Sequence, residues 1–260
     1  MRFTAFRMDG KPARIFAIAG IALSCLLLLM PAARAAPDRP TVVELYTSQG
    51  CAACVNADRY LQELAGRNDV IALTLPVTYW DYLGWKDTFA KPEFDDRQRA
   101  YATTAGSSDI YTPQIIIDGE HMEVGSQTSV IDDVIAFQTG QRPPAVPVDL
   151  WPLGRSVVVN IGAGALPRGA SSATIWLVQY DVRRQVSVND GENAGKVLSY
   201  TNLVRNLTPL GVWHGESKGL SLPVRDLTKT KYSGFAILLQ VEDAGPVIGA
   251  ATMDTGRLDN

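Results

Sequence analysis

The stretch Thr41-Val42-Val43-Glu44-Leu45-Tyr46-Thr47-Ser48-Gln49-Gly50-Cys51-Ala52-Ala53-Cys54 decides how the chain is read. Its first seven residues are rich in β-branched and aromatic side chains, as a buried strand is. Ser48-Gln49-Gly50 reads as a turn. Beyond it Ala53, Ala57, Leu61, Leu64 and Ala65 recur at helical spacing, with Asn56, Asp58, Arg59, Gln62 and Glu63 mostly on the other side. Cys51 therefore falls at a helix N-terminus and Cys54 one turn in. Unpaired amides and the helix dipole, worth roughly half a positive charge, favour a thiolate there. Cysteines so placed have pKa values lowered to roughly 3.5–7.5. In this reading Cys51 attacks, Cys54 resolves, and a mixed disulfide lies between the two steps.

Towards the N-terminus, Arg2, Arg7, Lys11 and Arg14 precede an apolar run from Ile15 to Met30, and Ala33-Arg34-Ala35 supplies small residues before Ala36. This is the pattern of a secretory signal peptide over residues 1–35. The run is shorter than the ~20 residues a spanning helix needs, so no stable membrane anchor is expected after cleavage. A periplasmic or secreted location follows. Cys25 leaves with the signal, so two of the three cysteines stay. A disulfide across so short a loop restricts the unfolded chain little, which argues for redox chemistry over a staple. The chain holds 24 basic and 27 acidic residues; residues 1–35 carry five and one of them, leaving 19 against 26 and a formal charge of -7. A chain this acidic, without a basic stripe, is not expected to bind nucleic acid.

Towards the C-terminus, Val70 to Val77 reads as a second strand. Tyr79 to Trp85 follows as an aromatic loop, in which Trp80, Tyr82 and Trp85 are candidates for a substrate groove with Asp81 at its edge. Pro92 to Ala105 reads as a helix with proline in its first turn. Tyr111-Thr112-Pro113 then opens the apolar strand Gln114–Ile117, and Ser129 to Gln138 reads as the last helix of this part. Strand, Cys-x-x-Cys, helix, Thr-Pro and strand in this order resemble the thioredoxin superfamily over residues 40–140. The resemblance implies a cis Pro113 facing the dithiol and a Thr112 backbone presented to a bound peptide. It also implies a buried acid, at Glu44, that relays the proton of Cys54. A carboxyl buried there has a raised pKa, unless it escapes to the strand edge or pairs with an arginine.

Gln141-Arg142-Pro143-Pro144-Ala145 reads as a boundary, because two prolines stop the preceding helix. Beyond it come short strands at Val146–Leu150, Ser156–Ile161, Ala173–Tyr180, Gln185–Val188, Val197–Asn206, Leu220–Pro223, Phe235–Glu242 and Val247–Met253, separated by Gly, Pro and Asn. The expected fold is an α/β thioredoxin-like domain (36–142) followed by an all-β antiparallel sandwich-like domain (143–260). The polar loop Asn189-Asp190-Gly191-Glu192-Asn193 lacks the acidic spacing of a calcium site and reads as a structured turn. His121 and His214 are isolated and lack the paired spacing of zinc ligands, so no metal is expected. No Gly-x-Ser-x-Gly elbow and no dinucleotide fingerprint occur, and no cofactor is expected.

The segments from Val43 to Cys51, Tyr79 to Trp85, Tyr111 to Gln114 and Gly191-Glu192-Asn193-Ala194-Gly195 together resemble a family of exported bacterial proteins, domain of unknown function number twelve twenty-three. That resemblance spans nearly the whole mature chain and brings no established substrate. Where such motifs often carry serines and a proline, this chain has Ala52, Ala53 and Val55. The reading is an exported thiol-disulfide oxidoreductase acting on an exported protein or a small thiol or disulfide. The competing class is a non-enzymatic binding protein with a redox-sensitive or structural disulfide.

Overall fold

Seven consecutive buried residues form the first strand, β1 (Thr41–Thr47), and the Cys-x-x-Cys turn leads from it into α1 (Cys54–Leu64). The computed structural model describes residues 39–141, 145–229 and 232–258. The signal segment 1–35 and the boundary at 142/143 lie outside the described residues. The chain continues through β2 (Val70–Pro76), α2 (Pro92–Thr104), β3 (Gln114–Ile117), β4 (His121–Val124) and α3 (Thr128–Gln141). Then come β5 (Val148–Leu153), β6 (Ser156–Ile161), β7 (Ala173–Ser187), β8 (Val197–Trp213), β9 (Lys218–Pro223), α4 (Val224–Thr228), β10 (Gly234–Val241) and β11 (Val247–Asp254).

The expectation of an α/β thioredoxin-like domain followed by a separate antiparallel sandwich is overturned. Strand dominates among the described residues, and one mixed eight-stranded sheet, in the order β11-β10-β7-β8-β2-β1-β3-β4, runs through both halves of the chain. The join is β2 against β8, a parallel contact at Thr74 and Leu203. Side chains extend it: the Thr74 hydroxyl donates to the Thr201 carbonyl at 2.6 Å, and the Asn202 amide donates to the Ala72 carbonyl at 2.9 Å. Asn202 sits at φ 46°, a left-handed conformation that asparagine adopts more readily than most residues.

Strand β10 shows why the halves merge. Its run Gly-Phe-Ala-Ile-Leu-Leu-Gln-Val is buried throughout, the pattern of a strand covered on both faces. Phe235, Ile237 and Leu239 face the small sheet β5-β6-β9 with Val157, Val159 and Ile161. Ala236 and Leu238 face the other core, which includes Phe94 and Tyr101 of α2 and Val42 and Tyr46 of β1. Helix α2 therefore packs on a core built by both halves.

The segments expected as strands 173–180 and 185–188 are one strand of 15 residues, paired with a β8 of 17. Asp181-Val182-Arg183-Arg184 breaks the apolar alternation without breaking the ladder, and the buried Asp181 is paired with Arg184 at 2.7 Å. The β7–β8 hairpin thus carries its tip, residues 188–196, to the turn that holds the cysteines.

Candidate functional site

The turn after β1 is tied locally. The Cys51 amide donates to the Ser48 carbonyl at 3.1 Å, the Gly50 amide to the Ser48 hydroxyl at 3.1 Å, and the Cys54 amide to the Cys51 carbonyl at 3.2 Å. No side chain caps α1. Cys51 and Cys54 form a disulfide with Cα atoms 5.4 Å apart, and both cysteines are buried, at 3% and 0% exposure.

Two segments, the aromatic loop and the hairpin tip, reach this turn, and a third packs on α1 beyond it. The Thr112–Pro113 bond is cis, and Gly125 separates Pro113 from α1. A side chain on Gly125 would meet Pro113 Cβ at 2.9 Å and Ala57 Cβ at 3.1 Å, so only glycine lets the two approach so closely. The Thr112 hydroxyl is buried and makes no hydrogen bond. From the aromatic loop, Trp80 lies against Gly50, with an indole N–H that is buried without a partner, and the Trp85 indole donates to Gln49 Oε1 at 2.7 Å. Tyr82 points into solvent at 80% exposure. From the hairpin tip, the fully buried Asn193 donates to the Gln49 carbonyl at 2.9 Å and accepts from Lys196 at 2.8 Å. Its neighbour Glu192, which is exposed, accepts from the Ala52 amide at 3.3 Å.

Strand parity separates two buried carboxyl groups. Alternate residues of a strand face opposite sides. Val43 and Leu45 pack with Ala57 and Leu61 of α1, whereas Val42 and Tyr46 join Phe94 and Tyr101 of α2. Glu44 therefore faces α2, not the dithiol helix. Arg97 clamps it with bonds of 2.7 and 3.1 Å, and the Tyr101 hydroxyl donates to the same carboxylate. Gln240 closes the network, accepting from Arg97 at 3.0 Å and donating to Tyr101 at 2.9 Å. The buried acid beside the cysteines is Asp58.

Asp58 follows Cys54 by one turn of α1. It was expected on the polar side of this helix, yet it lies in the buried stripe Cys54, Ala57, Asp58, Leu61 and Leu64. One of its oxygens and the Tyr200 hydroxyl are buried without hydrogen-bond partners. Burial pushes the Asp58 carboxyl up to about 8; Thr47 offsets this only in part, and the charge of Asp87 adds to it. Burial raises Asp87 to about 6, against the pull of three amides, those of Gln49, Phe89 and Ala90, at 2.7–3.0 Å. Burial also raises Tyr200, and the charges of Asp58 and Asp87 act in the same direction. Asp58 is thus a buried carboxyl of raised pKa one helical turn from Cys54.

Spacing was a signal for Asp58, because residues i and i+4 share a helix face. Asn193 and Glu192 had no such signal, since their role depends on a contact 140 or more residues away.

Fold and site together define a strand-dominated protein that carries a Cys-x-x-Cys disulfide at the start of a helix, under the tip of a long hairpin. The chain belongs to the family described as a protein of unknown function, DUF1223, which matches residues 42–240. A crystal structure of a protein from Agrobacterium tumefaciens is similar, with 31% identity, a TM-score of 0.71, and coverage of 83% of this chain and 94% of that one. HBP35 of Porphyromonas gingivalis shares the fold at 14% identity and a TM-score of 0.59, over 84% of this chain and 76% of its own. No curated protein matches the chain.

Proposed function

We propose that this chain is an exported thiol-disulfide oxidoreductase that exchanges disulfides with exported proteins or small thiols through Cys51 and Cys54. The observation that carries this reading is the Cys51–Cys54 disulfide at the start of α1, with a buried carboxyl of raised pKa, Asp58, one turn further on. A substrate thiolate attacks Cys51 Sγ, the Cys51–Cys54 bond breaks, and Cys54 leaves as a thiolate. Asp58, four residues after Cys54 in α1, gives Cys54 its proton. A second substrate thiolate then attacks the substrate sulfur of the mixed disulfide and releases Cys51 as a thiolate. The substrate dithiol has lost two electrons and the Cys51–Cys54 pair has gained them. Run backwards, the same steps reduce a substrate disulfide.

A second reading, a binding protein with a stable disulfide, is favoured by the burial of both sulfurs, since buried cysteines react slowly. Insulin reduction driven by dithiothreitol separates the two. The wild-type chain is expected to accelerate it, with the acceleration lost in Cys51→Ser. A wild-type rate equal to the uncatalysed one removes the oxidoreductase reading.

A further inference from the structure

The hairpin tip brings a negative charge to the place where reduction creates another. The Ala52 amide, in the turn between Cys51 and the N-cap Ala53 of α1, already donates to the carboxylate of Glu192 at 3.3 Å. The tip is not free to drift away. Asn193, the next residue, is fully buried and bonded to the Gln49 carbonyl. Gly191, on the other side, holds φ 73° against Trp85, where a Cβ would meet Trp85 Cβ at 3.3 Å and the Leu83 carbonyl at 3.4 Å. Glu192 is thus held at the dithiol turn by its two neighbours while its own side chain stays exposed.

We propose that Glu192 sets the redox poise of the Cys51–Cys54 pair: its carboxylate occupies the Ala52 amide beside Cys51 and repels the thiolate that reduction produces at Cys51. The inference rests on the exchange chemistry proposed for the two cysteines, and it assigns Glu192 a positioning role, acting through Cys51. Reduction by glutathione breaks the Cys51–Cys54 bond and oxidises two glutathione thiols to one disulfide. Cys54 ends with a proton and Cys51 as thiolate or thiol according to pH. A fixed carboxylate beside Cys51 raises the cost of the thiolate form and so keeps the pair oxidised. The other charged groups around the turn are Asp58 and Asp87 below it, Asp190 bonded to the Gly191 amide, Lys196 bonded to Asn193, and the exposed Lys86 of the aromatic loop. All are unchanged in the variants below.

The test uses the full chain equilibrated with reduced and oxidised glutathione, together with Cys51 alkylation as a function of pH in the reduced protein. Glu192→Gln keeps the shape and removes the charge. It is expected to raise the equilibrium constant for reduction roughly 2- to 5-fold and to increase the thiolate fraction by the same factor below its midpoint. Glu192→Asp should stay near wild type and Glu192→Lys should move further than the glutamine variant. Because Glu192 is exposed, the difference should shrink in roughly 1 M salt, where the screening length is only about 3 Å. Thermal unfolding identifies any variant that has lost structure. Equal equilibria and equal alkylation profiles for wild type and Glu192→Gln overturn the proposal, as does a shift that salt leaves unchanged. Insulin turnover reports separately on the exchange reading: no turnover with a shifted equilibrium removes the activity and keeps the role of Glu192, and turnover with an unshifted one does the reverse.

Discussion

Glu44 and Asp58 are both buried carboxyl groups close to β1, and they live in opposite electrostatic worlds. Glu44 has a guanidinium, a phenol and, through them, a glutamine, all within one closed network. Asp58 has burial and a second acid, Asp87, raising its pKa, and only Thr47 pulls against them. A charge inside a protein is tolerated when it is paired, and a carboxyl that finds no pair keeps its proton instead. The first network therefore holds the fold together across both halves of the sheet. The second leaves a carboxyl of raised pKa one helical turn from Cys54.

The largest expected effect comes from breaking the paired side. Arg97→Ala leaves Glu44 buried at 1% exposure without its cation and should cost about 3–5 kcal/mol in urea unfolding. The redox equilibrium of the folded remainder should match wild type, since Arg97 packs on the α2 face. A loss under about 1 kcal/mol, the range of exposed pairs, would mean that the network is as solvated as a surface one.

The unpaired side should answer in the opposite sense. The Asp58 pKa is raised in the folded protein, from 3.8 to about 8, so the folded state binds the proton more tightly than the unfolded chain. Its stabilising contribution is complete below about pH 4 and is lost as the pH rises through about 8. Asp58→Asn, which is neutral throughout, should flatten that decline and be more stable than wild type by about 1–3 kcal/mol at the alkaline end. Asp87, raised to about 6, remains and leaves a shallower loss at lower pH. In the same variant the pH dependence of single-turnover disulfide exchange should lose its step near 8, and a parallel profile would take Asp58 out of the proton transfer.

The contrast also explains how much was legible in the chain. β1, the turn and the strand opened by Thr112-Pro113 follow from local patterns, and the structure has β1 and β3 at the boundaries read from sequence, whereas α1 begins at Cys54 and leaves Cys51 in the turn before it. The single sheet was not legible, because β2 meets β8 at one ladder pair, Thr74 and Leu203, with nothing in either segment to announce the other. Long-range pairing is decided by tertiary packing, here by α2 lying over both halves. The site was half legible for a related reason. Cysteine chemistry is visible in spacing, whereas the acid that serves it depends on which of two faces each side chain takes. A charged residue on a helix reads as solvated by default, and only its position in the apolar stripe told otherwise.

The smallest effects sharpen the comparison most cleanly, because they remove one atom from each side. Tyr101 and Tyr200 are buried to a similar degree, at 0% and 1% exposure, but the Tyr101 hydroxyl donates to Glu44 and accepts from Gln240 while the Tyr200 hydroxyl has no partner. Tyr101→Phe takes a donor from a buried carboxylate and should cost about 1.5–3 kcal/mol. Tyr200→Phe removes a hydroxyl whose burial nothing compensates, so its stability should lie between wild type and a gain of about 1 kcal/mol. Denaturant curves of the two variants at one pH make the comparison directly. Equal losses would mean that Tyr200 shares a bonded network after all, and Asp58, its neighbour in the same field, would then be as well paired as Glu44 and have no reason to keep its proton.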